Sequence, residues 1–270
     1  MDDAAADRRL VAEIRDAYED GAEWWASGPA LLYHRLAAAL VAAGPSRLAG
    51  RRVLDLGAGT GVASDVLSAA GARPVAIDLA HSMLAHRKHD RPPGVVGDAA
   101  ALPFHDSTFD AVVAAFSLNH APDPGAVLAQ CRRVTRSGGW ILASTFPSGA
   151  DHPAKAVVET TLEQFGYRRP GWYATFKADI ADRTGAPGAL LEVALAAGLT
   201  DACVDRVAVD AGLDDPDVAV AWRLNMPHTI GFVAGLDPDT RAALHTSARA
   251  ALSDGLPPSV TMLALRARVA

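Results

Sequence analysis

The chain has 270 residues, half of them hydrophobic, and a formal net charge of −6. This length suffices for one buried α/β domain with a compact insertion. The basic residues are scattered, which argues against the continuous basic track of a nucleic-acid partner. No apolar run approaches the ~18 residues that span a bilayer, and acidic residues stand where a basic leader would begin. We therefore expect a cytoplasmic protein, a monomer or homodimer, with no nucleic-acid and no membrane partner.

The first segment of the chain is predicted to be helical. Leu32, Leu36 and Leu40 recur on one helical face, and Gly44 with Pro45 ends the pattern. We expect two parts, a helical lid segment and a main domain that carries helical insertions: residues 1–47, and residues 48–270 with insertions near 150–183 and 212–255.

Short apolar runs then alternate with helical patterns, which predicts a mostly parallel twisted sheet with helices on both faces. The predicted strands are 52–56, 74–77, 95–96, 110–116, 140–146, 203–209 and 260–265. The predicted helices are 60–70, 82–88, 124–137, 154–165 and 187–197, with two more opened by Asp215-Pro216 and Asp237-Pro238. The last strand is expected to run antiparallel to its neighbour.

The segment VLDLGAGTG, residues 53–61, is the strongest local signal. A strand runs into Gly57, Gly59 and Gly61 and then into a helix, so the backbone can turn sharply and approach a ligand closely. Dinucleotide-binding loops of this kind need glycine or alanine where this chain has Val62. The spacing therefore favours a ligand without a pyrophosphate.

Three aspartates follow or precede strand ends where a nucleoside would require them. Asp78 ends the second strand, where a carboxylate can accept hydrogen bonds from both ribose hydroxyls. Asp98 follows the third strand and is placed for an exocyclic amine, and Asp55 precedes the glycines, where it could neutralise a cationic amino acid portion. Each alone is equally explained as a cap or turn residue, but their order and spacing favour a nucleoside site.

Five segments resemble successive motifs of class I S-adenosylmethionine-dependent methyltransferases, over residues 52–146. They read VLDLGAGTG, VAIDLAHSML, GDAAALPF, FDAVVAAFSLNHAPDP and RRVTRSGGWILAST. They are similar in particular to the small-molecule group that includes the ubiquinone and menaquinone biosynthetic C-methyltransferases. The resemblance implies a Rossmann-like fold, S-adenosylmethionine as cofactor, and methyl transfer to O, C or N of a small organic acceptor.

The resemblance also implies a set of cofactor-binding positions. The glycines would shape the loop under the methionine portion, while Asp78 would hold the ribose and Tyr18 would close over the cofactor. The full implied set is Tyr18, Asp55, Gly57, Gly59, Thr60, Gly61, Asp78, Leu79, Met83, Asp98, Ala99, Phe116 and Ser117.

Large side chains concentrate in the parts of the chain that lie outside these motifs, in a protein that is only 6% aromatic. This bias predicts a lid over an apolar acceptor, such as a polyketide, prenylated, aromatic or quinone-like intermediate of secondary metabolism, although ordinary helix packing explains any one residue as well. The predicted acceptor pocket consists of Trp24, Trp25, His120, Tyr173, Trp222 and Met226; Tyr167, Trp172 and Phe176 belong to the same aromatic bias.

No catalytic residue is assigned from the sequence. A general base is needed only if the acceptor is a neutral hydroxyl, amine or carbon acid. The candidates are His120, His228, His34 and Tyr173, of which His120 is the best placed, although a hydrogen bond to the following turn explains it better. No metal site is expected, because His81, His86 and His89 have no Cys or carboxylate at ligand spacing.

Three other functions compete with methyl transfer. A protein of this fold can keep the cofactor and catalyse a cyclisation or rearrangement without moving the methyl group, and the sequence leaves this open. A nicotinamide-dependent reductase is disfavoured by Val62 and by the lack of a Tyr-x-x-x-Lys pair. A nucleic-acid methyltransferase is disfavoured by Ser-Leu-Asn-His after the fourth strand and by the lack of a basic patch.

Overall fold

A computed structural model describes residues 3–45, 48–149, 151–252 and 255–270. Within these ranges seven strands form one sheet in the order β3-β2-β1-β4-β5-β7-β6. The strands are β1 Arg52–Leu56, β2 Arg73–Asp78, β3 Gly94–Val96, β4 Phe109–Ala115, β5 Thr135–Thr145, β6 Thr200–Asp210 and β7 Ser259–Arg268. The pairs from β3 to β5 are parallel, whereas β7 runs antiparallel to both β5 and β6. The predicted mostly parallel sheet with an antiparallel last strand is confirmed.

Helices cover both faces of this sheet. They are α1 Asp3–Glu19, α2 Ala22–Ser27, α3 Pro29–Ala42, α4 Val62–Ala69, α5 His81–Ala85, α6 Pro124–Val134, α7 Pro153–Gln164, α8 Gly171–Thr175, α9 Pro187–Ala196, α10 Pro216–Leu224, α11 Pro227–Gly235 and α12 Pro238–Ala251. A π-helical turn, Phe176–Ile180, follows α8, and short 3₁₀ turns lie at Leu118–His120 and Ala181–Thr184.

Three helices begin as the sequence predicts. The side chains of Asp123, Asp215 and Asp237 each accept a hydrogen bond of 2.9 or 3.0 Å from a backbone N–H in the first turn, and proline occupies the first helical position after each. These caps satisfy donors that have no partner inside the helix. They set the starts of α6, α10 and α12.

Three helical predictions differ from the structure. Helix α6 ends at Val134 rather than at residue 137, because β5 already begins at Thr135. Between β6 and β7 the described residues form three helices rather than two, because α11 begins at Pro227 without a side-chain cap and so carried no aspartate signal. Helix α5 ends at Ala85 rather than near residue 88. The guanidinium of Arg91 donates to the carbonyls of Met83 and Leu84, at 2.8 and 3.4 Å, and so takes up acceptors that a continued helix would use.

The hydrophobic core has one large cluster on each face of the sheet. Leu32, Leu36 and Leu40 of α3 are fully buried in the first cluster, which confirms the predicted apolar face. Trp222 and Tyr167 are among the largest buried side chains, and both belong to this same cluster, next to the helices that precede β7. Among the described residues, no helix is both long and apolar enough to cross a membrane.

Candidate active site

A cavity of about 880 Å³ opens at the carboxyl ends of the parallel strands. Its walls come from the loops after β1, β2, β3 and β4, from α1, and from the segments 146–182 and 222–228. In open α/β sheets this edge binds ligands, because the βα loops and helix N-termini converge there. Residues that bind the cofactor or the acceptor should therefore line this cavity.

The glycine loop forms the floor of the cavity at one end. Gly57 and Gly59 line it with positive φ angles of 68° and 54°, which glycine adopts without strain. A Cβ atom on Gly57 would lie 2.3 Å from Cβ of Ser117, whose hydroxyl donates to the carbonyl of Leu56 at 2.6 Å. The loop after β4 thus packs directly on the loop after β1, and only glycine fits between them.

Asp78 stands at the side of this loop. Its two carboxylate oxygens accept from the backbone N–H groups of Gly59 and Ala80, at 2.8 and 2.9 Å. Burial raises the pKa of Asp78, and these hydrogen bonds oppose the rise. A carboxylate oxygen accepts more than one hydrogen bond, so Asp78, which lines the cavity, can still receive hydroxyl groups. The cradle and its acid therefore fit a ribose.

Other predicted cofactor residues complete this end of the cavity. The further predicted residues that line the cavity are Tyr18, Leu79, Met83, Asp98, Ala99, Phe116 and Ser117. Asp98 is exposed and accepts from the backbone N–H of Ala100 at 2.8 Å, as an aspartate in a turn does. This turn hydrogen bond uses Oδ1, so Asp98 can both cap the turn and contact a ligand amine through Oδ2.

Asp55, Thr60 and Gly61 lie outside the lining. Asp55 is 1% exposed beneath the loop, accepts from the hydroxyl of Ser64 at 2.6 Å, and has a pKa that burial raises to about 6. Asp55 thus supports the glycine loop from beneath, and its direct contact with a ligand stays a prediction. Arg91, which sequence analysis missed, donates to the carbonyl of Gly59 at 3.0 Å from below.

Arg91 also ties this loop to α5 through its bond to Met83, and its charge offsets the negative charges of Asp55 and Asp78. No local signal distinguished it, because RKHDRPP reads as an ordinary polar surface loop. Its role follows only from the approach of segments that are far apart in the chain.

A row of rings forms one wall of the cavity, from Tyr18 through His120, Phe176 and Tyr173 to His228. The Tyr18 hydroxyl lies 3.2 Å from Nε2 of His120. His120 stacks on Phe176 with ring centroids 5.0 Å apart, and Tyr173 stacks on Phe176 and on His228 at 5.8 and 3.8 Å. The ring row joins the N-terminal helix to the π-helical turn and to α11.

The two histidines of the ring row are weak bases. Burial lowers the pKa of His120 to about 4, although a hydrogen bond with the backbone of Phe116 opposes this. Its neutral ring then accepts from the hydroxyl of Tyr18. Burial and the charge of Arg223 lower the pKa of His228 well below its usual value, and Nη2 of Arg223 lies 3.3 Å from its Nε2. Neither imidazole has the basicity that proton abstraction near neutral pH needs.

Phe116 lies between the cofactor end and the rest of the cavity. Its φ of 58° is left-handed, which for a bulky residue costs roughly 1–3 kcal/mol and is often found at functional sites. Its ring contacts those of Tyr33 and Phe146, with centroids 5.2 and 4.5 Å away. Tyr33 and Phe146 also line the cavity, and sequence analysis missed both because each reads as core of its own element.

Most of the predicted acceptor residues reach the cavity. Those that line it are Trp25, His120, Tyr173, Trp222 and Met226. Trp24 does not; its ring packs under the guanidinium of Arg241, 5.4 Å from the centroid. His34, a candidate base, is exposed and lies outside the lining as well. Successive residues of an α-helix project about 100° apart, so Trp25 can face the cavity while Trp24 faces Arg241.

The end of the cavity near α10 is cationic. Arg223 and Lys155 both line it beside Trp222, and burial together with the charge of Arg223 lowers the pKa of Lys155 to about 8. Nζ of Lys155 lies 5.3 Å from the ring centroid of Phe146 and 5.9 Å from that of Trp222. Sequence analysis did not identify either cation, because both sit in ordinary helical patterns.

The histidines after β2 pair with acids of the N-terminal segment. Nδ1 of His86 lies 3.3 Å from Glu23, and Nδ1 of His81 lies 4.0 Å from Glu19. The described residues contain no group of three or more His, Cys, Asp or Glu side chains that could hold a metal ion.

The family described as "Methyltransferase domain" matches residues 54–143. Demethylmenaquinone methyltransferase of Renibacterium salmoninarum is 34% identical over 173 residues, which are 61% of this chain and 70% of that protein. The enzyme of the same name from Mycolicibacterium paratuberculosis is 40% identical over 116 residues, 43% of this chain and 49% of that one. The chain thus spans about half the length of the second relative.

Solved structures share the fold at low identity. Haemonchus contortus phosphoethanolamine N-methyltransferase 2 in complex with S-adenosyl-L-methionine has a TM-score of 0.56 at 19% identity, over 86% of this chain and 51% of that one. The [4+2]-cyclase SpnF has a TM-score of 0.54 at 20% identity, over 87% and 80%. At these identities the likenesses establish the fold alone.

Proposed function

This chain belongs to the class I S-adenosylmethionine-dependent methyltransferases, and we propose that it methylates a small, largely apolar organic acceptor held in the 880 Å³ cavity. The observation that carries the proposal is the continuity of this cavity from the glycine loop to the ring row. One space borders both the residues suited to a nucleoside and the aromatic side chains suited to an apolar acceptor.

S-adenosylmethionine is the cofactor, and when bound it supplies an activated methyl group on a sulfonium. We assign its binding to Gly57, Gly59 and Asp78, with the other cofactor residues of the lining around them. Asp78 is already oriented by two backbone N–H groups, so it needs no rearrangement to accept from hydroxyls. Asp55 and Arg91 hold the loop in place from beneath.

The chain's part in the chemistry is to position the acceptor and exclude water. The apolar rings around Phe116 and Tyr173 desolvate the reacting atom, and correct alignment of two reactants accounts for up to ~7–11 kcal/mol in well-oriented reactions. Because His120 and His228 are poor bases, the acceptor's reacting atom must be nucleophilic without their help. A phenolate or a quinol anion, which has already lost its proton to water, meets this need, and the names of the curated relatives support a quinone-related acceptor.

We further propose that residues 1–47, with the insertions near 150–183 and 212–255, form a lid over the domain 48–270. Helix α1 supplies Val11, Ile14 and Tyr18 to the cavity wall. Leu10 and Ile14 pack with Phe176 in a separate small cluster. Movement of α1 away from the π-helical turn would open the cavity and would break the contacts that Tyr18 makes with the main core.

The test is a turnover assay with S-adenosylmethionine and a panel of apolar phenols, quinols and amines. We expect S-adenosylhomocysteine and a product heavier by one methylene, in equal amounts, by mass spectrometry. The alternative, a cyclase that keeps the methyl group, would give an isomerised product and no S-adenosylhomocysteine. Methylation restricted to short, highly polar compounds would refute the apolar acceptor.

A further inference from the structure

Arg223 is a buried cation that faces the cavity. The residue is 6% exposed on α10 and lines the cavity. Among the residues that the structure describes, no carboxylate forms an ion pair with it. Its Nε is buried and has no hydrogen-bond partner within residues 3–45, 48–149, 151–252 and 255–270. An unpaired buried charge is costly to a fold, so a partner from outside the chain is the simplest compensation.

The contacts that Arg223 does make orient it. Its Nη2 lies 3.3 Å from Nε2 of His228, and its Cζ lies 5.2 Å from the ring centroid of Trp222. His228 in turn is held between the ring of Tyr173, with centroids 3.8 Å apart, and the hydroxyl of Tyr167, which donates to its carbonyl at 3.1 Å. A guanidinium fixed in this way is preorganised for a planar oxyanion.

The acids nearest this end of the cavity are already engaged. Glu159 accepts from Nε of Arg169 at 3.0 Å. Asp151 lies 3.8 Å from Nζ of Lys155, on an exposed side chain. Lys155 lines the cavity close enough to Arg223 for the two charges to repel, and the exposed Lys177 adds a further positive charge. The potential at this end is therefore positive.

We propose that the acceptor carries an oxyanion group, a carboxylate or a phosphate, that binds Arg223 while its apolar body lies along the ring row. This inference rests on the proposed function and narrows its substrate class to anionic apolar acceptors. The cationic end and the glycine loop lie at different walls of one cavity, so a molecule anchored at Arg223 extends toward Phe116. Lys155 adds attraction without having to contact the group.

The test uses simple ligands and protein saturated with S-adenosylhomocysteine. The probes are 2-naphthoate, 2-naphthyl phosphate and the neutral 2-naphthamide, titrated by calorimetry. We expect at least one anionic probe to bind the wild type about 10-fold to 100-fold more tightly than the amide, the range for a charge-assisted hydrogen bond. Comparison of the two anions shows whether carboxylate or phosphate is preferred. Equal binding of the amide and both anions would overturn the proposal.

Two variants separate the charge of Arg223 from general effects. Arg223→Gln should abolish the preference for the anion, whereas Arg249→Gln, which removes an exposed pair with Asp217 outside the cavity, should retain it. Persistence of the preference in Arg223→Gln would contradict the inference. Both variants should bind S-adenosylhomocysteine as the wild type does. If the wild type itself did not bind S-adenosylhomocysteine, the proposed function would be refuted instead.

A third variant requires no acceptor. Arg223→Met removes an unpaired buried charge and keeps an unbranched chain, so we expect its thermal midpoint to equal or exceed that of the wild type. If Arg223 served only to hold α10 and α11 together, the midpoint would fall. A clear fall in Tm would therefore count against a ligand-binding role.

Discussion

At the scale of single residues, we expect cofactor binding to depend most on Asp78. It combines a negative charge with an orientation fixed by the N–H groups of Gly59 and Ala80. Sequence analysis could identify it, because a strand end after a glycine loop is a local pattern. It could not identify Arg91, whose guanidinium reaches under the same loop from a polar stretch without a distinguishing motif.

We expect Asp78→Asn to weaken S-adenosylhomocysteine binding about 10-fold to 100-fold, because the amide lacks the charge and presents only one acceptor oxygen. Calorimetric titration measures the effect. Asp106→Asn is the matched control, since Asp106 is an exposed partner of Arg133 and lies outside the cavity. Equal affinity in Asp78→Asn and the control would remove Asp78 from the site.

His120 gives a prediction for pH dependence. Its pKa is about 4 in the fold and about 6.5 in an unfolded chain, so between these values only the unfolded chain takes up the proton. The contribution of the neutral His120 ring to the free energy of unfolding is therefore fully present above pH 6.5 and is lost as the pH falls toward 4. It amounts to about 3 kcal/mol at most.

The variant His120→Gln keeps an acceptor for the Tyr18 hydroxyl but does not titrate in this range. Relative to this variant, the wild type should lose several degrees of Tm as the pH is lowered from 7 to 4. Thermal unfolding of both proteins in matched buffers measures the difference. A constant gap between the two midpoints would show that the His120 ring is protonated as readily in the fold as in water.

At the scale of elements, the contact between the β1 and β4 loops explains the need for Gly57. We expect Gly57→Ala to lose more stability than Gly50→Ala, by about 1–3 kcal/mol. Both positions have positive φ, 68° and 74°, but a Cβ at residue 50 meets nothing within 4 Å, whereas one at residue 57 overlaps Ser117. Denaturant unfolding compares the two. Equal losses would mean that the Ser117 loop moves aside freely.

Two hydrogen bonds clamp the end of α1 to the start of α5, and we expect this clamp to restrain the proposed lid. Ser82 donates its backbone N–H to the carboxylate of Glu19 at 3.0 Å and its hydroxyl to the Glu19 carbonyl. Ser82→Ala removes the second bond, worth about 1 kcal/mol, so amide hydrogen exchange in residues 3–19 should speed up roughly fivefold.

Ser68→Ala is the control for this clamp. The Ser68 hydroxyl donates to the carbonyl of Ser64 in the same helix, α4, so its loss removes a hydrogen bond that does not involve α1. Exchange in residues 3–19 should be unchanged in that variant. If Ser82→Ala left α1 equally protected, the packing of Leu10 and Ile14 on Phe176 would hold the lid without the clamp.

At the scale of the whole molecule, a feature could be predicted when the residues that form it are close together in the sequence, and could not when they are far apart. The βα units, the caps at Asp123 and Asp215 and the glycine loop are local patterns, and they were predicted close to their observed positions. Tyr18 and His120 of the ring row are in direct contact although they lie 102 positions apart, and the segments that carry the ring row share no periodic signal with the sheet. Periodicity predicts which face of a helix is buried, but not which distant side chain covers it.

The same reasoning explains the acceptor end. Trp222 and Met226 were expected in the pocket as large apolar residues, and they line it. Arg223 lies between them in the sequence and was not expected in the pocket, because an arginine on a helix usually faces solvent. Only the arrangement of α7, α10 and the π-helical turn around one space shows that its charge is enclosed.

The most direct measurement is a crystal structure of the protein with bound S-adenosylhomocysteine. The account requires the nucleoside to lie along Gly57 and Gly59, with its ribose hydroxyls on Asp78 and its sulfur facing the space bordered by Phe116 and the ring row. Density for the ligand elsewhere, or a sulfur atom sealed off from the wall that carries Tyr173 and Arg223, would contradict it.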